Sequence, residues 1–407
     1  MCATRVDDRI YTLDDLGTDT IPVAPFISEE YFQDEVEYVF KRTWRNVGRL
    51  LDDLPNPGDY FVKDFDVPKV SLVIKRDALG EVHAFHNICR HRGAKLVAEK
   101  RGNGSHFVCG FHGWAYSETG KLVGISDERQ FRNIDRANCG LLEIHCAVWN
   151  GMIFINFTKG PVESLRDYMG RMGQSIEAFP HEKMIKTGHY ESIIDCNWKT
   201  FWYAFMEAYH VPYVHKHSVK ELMETSANPN TNMFDFEFFG RHNAASIPVD
   251  PDSPGSELDR NVRSLADTQM IAASSMLNEC TTPVNKSEAR NFMFRITQIF
   301  PNFACHMGSG YYYTYNMEPI SVDQTRWVHK IYGYPPSTAA ARVATYYAKA
   351  MFRDALLEDI TALEPMHEAL KTGVLQEMHL CEQEALLRHH FMMVEDAIAK
   401  GKSEAAR

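Results

Sequence analysis

The feature that most constrains this chain is a pair of short segments, CRHRGAKL at residues 89–96 and CGFHGWAY at residues 109–116. They set Cys89-x-His91 seventeen residues ahead of Cys109-x-x-His112. Two thiolates and two imidazoles arriving on two loops can hold zinc or an iron–sulfur cluster. Zinc sites usually pair Cys with Cys in one loop and His with His in the other. Here each loop is mixed, which suits a [2Fe–2S] centre whose first iron takes both thiolates and whose second takes both imidazoles. Gly93, Gly110 and Gly113 allow tight turns and leave backbone N–H groups free to face the sulfurs. Around these loops, residues 60–157 alternate short β-branched and aromatic runs with turn signals such as ALGE, RGNGS and SETGK. That pattern predicts a compact all-β unit.

A cluster of this kind stores and passes one electron, so the rest of the chain must supply a partner or a reaction. After GPVESLRD the sequence predicts a helix over DYMGRMGQSIEAF and a strand over TGHYESIID. Next comes NWKTFWYAFMEAYHVPYVHKH, whose run from Asn197 to Tyr209 lacks Gly and Pro and repeats large apolar residues at helical spacing. On such a helix Glu207 and His210 share a face. His215 lies five residues further, and a kink at Pro212 is expected to return it toward His210. Two imidazoles and one carboxylate form the usual facial set for oxygen-activating Fe(II). The carboxylate must come from elsewhere, and the helical stretch MFRDALLEDITALEPMHEALKTG offers Glu358, Asp359 and Glu364, with Asp354 as an earlier alternative.

Taken together, CRHRGA, CGFHGWAY, NWK…YHVPYVH and the later ED…E resemble the Rieske non-haem iron ring-hydroxylating oxygenases, catalytic alpha subunits of the homo-oligomeric type. The resemblance covers nearly the whole chain. It implies an α+β fold, with an all-β Rieske [2Fe–2S] domain over 46–160. Over 161–407 it implies a catalytic domain of helix-grip type, an antiparallel sheet covered by helices over an apolar pocket. Residues 1–45, with the helix-like EEYFQDEVEYVFKRTW, are expected to pack on the core. The resemblance makes Cys89, His91, Cys109 and His112 the cluster ligands. It makes His210, His215 and Asp359 the ligands of a mononuclear Fe(II), leaving His217 over. Glu207 is then expected to bridge His210 to a cluster histidine of a neighbouring subunit in a homotrimer.

The implied activity is that of a terminal oxygenase with O2 as co-substrate. Electrons would come from NAD(P)H through a separate reductase or ferredoxin, because no G-x-G-x-x-G fingerprint follows a strand. The expected substrate is a hydrophobic aromatic or alicyclic small molecule. Glu207 departs from the Asp usual in arene dihydroxylating members. It matches relatives acting on quaternary ammonium compounds such as glycine betaine, choline and carnitine, so oxidative demethylation or hydroxylation of those is the alternative. Tyr203 stands roughly where arene dioxygenases often carry Asn. A Rieske electron-transfer protein without oxygenase activity is a more distant alternative.

Composition bounds these readings. At 407 residues two domains are expected. A net charge of −11 argues against nucleic-acid or anionic-membrane partners. No window approaches the roughly 18 apolar residues of a membrane span, and the start MCATRVDDRIYTLDD is acidic, so a cytoplasmic location is expected. Nine cysteines, an odd number, argue against a disulfide framework; Cys139, Cys146, Cys196, Cys305 and Cys381 read as small buried hydrophobes. FMFRITQIF, FACHMGSGYYYTYNME and TRWVHKIYGYPP read as strands of the second sheet, and Arg241 and Arg295 as possible partners of a substrate carboxylate.

Overall fold

Runs rich in Val, Ile, Phe and Tyr, cut by Gly and Asn turns, build the smaller of two units, Phe40–Leu165. The computed structural model describes residues 9–253, 257, 260–262 and 280–406; the acidic opening residues 1–8 lie outside the described residues. Seven antiparallel strands form the main sheet of this unit: β1 (Arg45–Arg49), β2 (Asp59–Phe65), β3 (Val70–Arg76), β4 (Val82–His86), β5 (Arg101–Asn103), β9 (Glu143–Trp149) and β10 (Met152–Asn156), in the order β1-β10-β9-β4-β3-β2-β5. Three short strands, β6 (His106–Val108), β7 (Ala115–Ser117) and β8 (Leu122–Gly124), make a second sheet. The first sheet buries Leu72, Ile74, Ala84, Ile153 and Ile155 in one apolar cluster. A second cluster gathers Phe85, Phe107, Trp114 and Tyr116 around Cys89 and Cys109. The two cysteine loops therefore leave a packed floor, one following β4 and the other joining β6 to β7.

The larger unit groups Met1–Val39 with Arg166–Arg407. Its sheet has eight antiparallel strands. Beside the edge strand Ile10–Tyr11 lie β12 (Phe234–Phe239), β13 (His242–Pro248), β14 (Phe292–Ile299), β15 (Phe303–Gly308), β16 (Tyr311–Ser321), β17 (Gln324–Gly333) and β11 (Ile185–Ile194), in that order. FACHMGSGYYYTYNME is two strands, because Gly310 at φ +85° turns the chain back between β15 and β16. Five helices matter here: α1 (Leu165–Ile176), α2 (Trp198–Ala204), α3 (Val211–Val214), α4 (Ala339–Lys371) and α5 (Ala385–Ala405). α1 is interrupted at Gly170, whose φ of +47° is non-helical.

The N-terminal stretch EEYFQD is helical from Glu29 to Asp34, capped by the Ser28 hydroxyl, and continues as a π-helical turn over Glu35–Phe40. Glu35 is fully buried and ties this segment to α2. Its carboxylate lies 2.7 Å from the Lys199 ammonium and accepts from the Trp198 indole at 3.0 Å. No helix among the described residues is long and apolar enough to cross a membrane.

Candidate metal centres

Two matching turns form the first centre. Cys89 N–H donates to Ala94 O at 2.8 Å and Gly93 N–H to Cys89 O at 3.0 Å. In the second loop Cys109 N–H donates to Trp114 O at 2.8 Å and Gly113 N–H to Cys109 O at 2.9 Å. Each turn places a Gly four residues after its Cys in the left-handed region, Gly93 at φ +79° and Gly113 at +68°. Gly110 is not in that region and its Cβ position is open, so the turn does not require it. Both thiols are 2% exposed, while His91 and His112 are half-buried beyond them with ring centroids 4.6 Å apart.

The surroundings orient these donors. His91 stacks on Trp114 at 4.9 Å. The Tyr116 hydroxyl lies 3.3 Å from Cys89 Sγ and accepts from Arg90 N–H at 3.0 Å, which the sequence reading missed. Burial, reinforced by the adjacent Cys109, pushes the Cys89 thiol up despite the Tyr116 contact. His91 Nδ1 is buried without a hydrogen-bond partner. An orphaned imidazole nitrogen beside two buried, mutually opposed thiols fits a metal cluster that takes S, S, N and N donors.

The second centre is assembled differently. α2 begins with the Asn197 side chain accepting from Lys199 N–H and ends at Ala204, so the continuous helix expected to Tyr209 does not form. Burial on every side of Trp198–Tyr203 produces the long apolar run, which periodicity alone extends too far. Glu207 and His210 lie in the following turn, and the turn itself joins them. Glu207 Oε2 accepts from His210 N–H at 3.1 Å, and Glu207 Oε1 makes a short contact with His210 Nδ1. His210 then caps α3 and His215 follows it. Pro212 does not break a helix; it occupies the first turn of α3, where its missing N–H costs nothing. One helical turn therefore brings His210 Nε2 to 3.2 Å from His215 Nε2.

Asp359 arrives from α4, 4% exposed, with Oδ1 at 3.4 Å from His210 Nε2 and 3.2 Å from His215 Nε2. One ligand atom from each of these three residues lies within 4.8 Å of the others. Glu358, which sequence reading named without a role, accepts from His215 Nδ1 at 3.0 Å and from the Ser218 hydroxyl at 2.6 Å. Consecutive residues on a helix point about 100° apart, so adjacency to Asp359 does not by itself signal this placement. Asp354 is half-exposed and paired with Arg353 at 2.6 Å, away from the imidazoles, and Glu364 accepts from Asp195 N–H at 3.0 Å.

Electrostatics favours a cation here. Burial alone depresses the His210 imidazole, but Glu207 and then Asp359 overcome it and raise the group to about 9. His215 is also raised: burial opposes, and Asp359 and Glu358 prevail over the repulsion of His210. Each imidazole has its Nδ1 held by a carboxylate, which leaves Nε2 as the inward lone pair. Two inward nitrogens, one inward carboxylate and two supporting carboxylates suit a divalent ion of the two-His, one-carboxylate type.

Other sequence candidates lie elsewhere. Tyr203 is packed against Phe26 and the His390 ring, with its hydroxyl 3.4 Å from His390 Nδ1. Arg295 is buried in an ion pair with Glu237, and Arg241 lies over the Tyr168 ring at 4.5 Å. His217 is exposed.

Comparison with known proteins places these centres in context. Residues 174–400 match the ring hydroxylating alpha subunit (catalytic domain) family, and residues 45–137 match the Rieske [2Fe-2S] domain family. The chain is 30% identical over 208 residues to chloroplastic choline monooxygenase of Spinacia oleracea, covering 50% of this chain and 46% of that protein. It is 36% identical over 203 residues to the large oxygenase component of the naphthalene 1,2-dioxygenase system of Pseudomonas aeruginosa, covering 47% and 43%. Thus the matched region spans about half the length of these curated relatives. The fold is like that of naphthalene 1,2-dioxygenase from Rhodococcus sp., at TM-score 0.73 and 21% identity, over 95% of this chain and 96% of that one. It is equally like a quaternary ammonium Rieske monooxygenase, at TM-score 0.72 and 15% identity, over 96% and 97%. The Rieske domain implies a [2Fe–2S] cluster, and the catalytic domain a mononuclear iron used with O2. The chain belongs to the ring-hydroxylating alpha-subunit family, with a Rieske [2Fe–2S] domain preceding its α+β catalytic domain.

Proposed function

We propose that this chain is a terminal oxygenase that hydroxylates a hydrophobic aromatic or alicyclic small molecule with O2. Its electrons come from NAD(P)H through a separate reductase or ferredoxin. The observation that carries the reading is the convergence of His210, His215 and Asp359 within 4.8 Å, in a chain that also carries the Cys89, His91, Cys109 and His112 loops. A Rieske electron carrier has no use for the second donor set.

When bound, the cluster supplies single electrons and Fe(II) supplies dioxygen activation. His91, His112, Cys89 and Cys109 would hold the cluster; His210, His215 and Asp359 would hold the iron. Glu207 and Glu358 fix the tautomer and ring orientation of the two iron-side imidazoles. Burial of Asp359 and His215 keeps bulk water from the donor face. Among the described residues Glu207 accepts from His210, and each carboxylate oxygen has a second lone pair. That spare capacity supports a bridge to His112 of a second copy in a homotrimer.

A quaternary ammonium substrate is the second reading. It is favoured by Glu207 in place of Asp and by relatives such as choline monooxygenase. The reaction is tested by supplying a reductase, NADH and 18O2, and screening ring compounds beside choline, carnitine and glycine betaine. Label from 18O2 in a ring-hydroxylated product is the expected result. Demethylation or hydroxylation of an ammonium compound alone would favour the second reading. Electron uptake with no oxygenated product from either class would overturn both.

A further inference from the structure

The central strands of the larger sheet carry polar groups that no described residue satisfies. Both ring nitrogens of His306 and of His329 lack a hydrogen-bond partner among the described residues, and so does Trp327 Nε1. These side chains are 2%, 0% and 3% exposed. Buried polar atoms are almost always paired, so five orphaned nitrogens in one region indicate missing partners.

Strand register puts them on one face. His306 on β15 is directly opposite Tyr313 on β16, and Tyr315, two residues on, is directly opposite His329 on β17. Residues two apart in a strand share a face, and directly opposed residues do also. Trp327 is two residues before His329 and joins them. Ring contacts confirm the grouping: His306 to Tyr313 at 4.9 Å, His306 to Tyr315 at 5.2 Å, and Tyr315 to His329 at 4.7 Å. This face meets α4 through Phe352, 5.0 Å from the Tyr313 ring. Phe352 is seven residues before Asp359, two turns along the same side of α4. Burial, with the neighbouring Asp359 charge contributing, holds the Tyr313 and Tyr315 phenols well above their usual range.

We propose that His306 and His329 form a polar subsite on the sheet face beside the metal centre, which takes a neutral hydroxyl or carbonyl group carried on the substrate ring. The inference rests on the oxygenase reading and narrows its substrate class. Burial pushes His306 down to about 3 and His329 well below its ordinary value, so both imidazoles are uncharged at neutral pH. Each then offers one N–H donor and one lone pair. A hydroxyl accepts from one ring and donates to the other; a carbonyl accepts from an imidazole or from the Trp327 indole. A bare hydrocarbon or a quaternary ammonium head offers neither interaction and would leave the imidazoles unpaired. The rings of Tyr313, Tyr315 and Phe352 supply apolar contact for the carbon skeleton.

Binding to the iron-loaded protein, kept without reductase or oxygen, tests this independently of turnover. Isothermal calorimetry would compare 2-indanol, indane and phenyltrimethylammonium. The subsite predicts 2-indanol bound at least tenfold more tightly than either, although indane is the more hydrophobic molecule. Equal or tighter binding of indane or the ammonium compound would overturn it, as expected if ordered water alone satisfies the imidazoles. His306→Phe and His329→Phe should reduce the preference to within about twofold, and His306→Gln should restore part of it. A preference surviving in both Phe variants would also overturn the subsite. If the preference holds but no substrate incorporates label from 18O2, the subsite stands and the oxygenase reading fails.

Discussion

The Cys89 and Cys109 turns lie twenty residues apart in sequence and are copies of one local hydrogen-bond pattern. His215 and Asp359 are 144 residues apart and meet only because the short helix α3 and α4 pack together in the larger unit. The first centre has buried thiols and half-buried imidazoles at its tip; the second has a 4% exposed carboxylate and imidazoles backed by two further carboxylates. A site built from two turns needs little beyond those turns. A site built by packing needs the whole unit, and is correspondingly sensitive to it.

That contrast predicts separable failures. Asp359→Ala should reduce turnover by at least about a thousandfold while leaving the visible absorbance of the cluster intact. Cys109→Ser should do the reverse to the spectrum, abolishing cluster absorbance while iron binding at the second centre survives. Loss of both centres in either variant would break the comparison. Glu358→Gln tests the supporting layer. It keeps a contact to His215 but removes the charge, and should weaken iron affinity by about 10- to 100-fold, read by chelator competition.

Most of the first centre was legible because its candidate ligands, turn glycines and spacing are local. Only Tyr116 escaped, since its hydroxyl reaches Cys89 across 27 residues. In the second centre, His210, His215 and Asp359 were named through the family resemblance and do converge. Their local setting was not legible. Apolar periodicity ran the helix on to Tyr209, because a fully buried helix and the buried turn after it have the same composition. Pro212 was read as a breaker, yet proline in a first turn is structurally neutral. The all-β smaller unit followed from alternation and turn signals and the α+β class from the family resemblance, whereas the β15–β16 reversal falls at Gly308-Ser309-Gly310, inside a run read as one strand. The unpaired imidazoles of His306 and His329 carry no sequence signal at all, since a satisfied and an unsatisfied buried histidine are written alike.

Acid should separate the units more gently. Burial pushes His242, His306 and His390, all in the larger unit, down to about 3. In the smaller unit the half-buried His86 and His91 are lowered, each chiefly by burial. A depressed folded-state value means that the unfolded chain takes up protons first as pH falls below 6.5. The stability contribution is therefore complete above 6.5 and is lost progressively toward 3. Each of the three imidazoles should cost about 2 kcal/mol at pH 5. Hydrogen exchange, corrected for intrinsic amide rates, should show the larger unit losing protection first between pH 7 and 5. Earlier loss in the smaller unit would contradict this. The smallest effect is expected from Asp354→Ala and His217→Ala, which should change iron affinity by less than about twofold, because both side chains are exposed.

The central claim is that one chain holds two independent metal centres, and metal and acid-labile sulfide counts test it most directly. The account predicts about three irons and two sulfides per chain in the parent protein. It predicts about two irons with both sulfides in Asp359→Ala, and about one iron without sulfide in Cys109→Ser. Zinc without sulfide in the parent protein, or all three irons retained in Asp359→Ala, would contradict it.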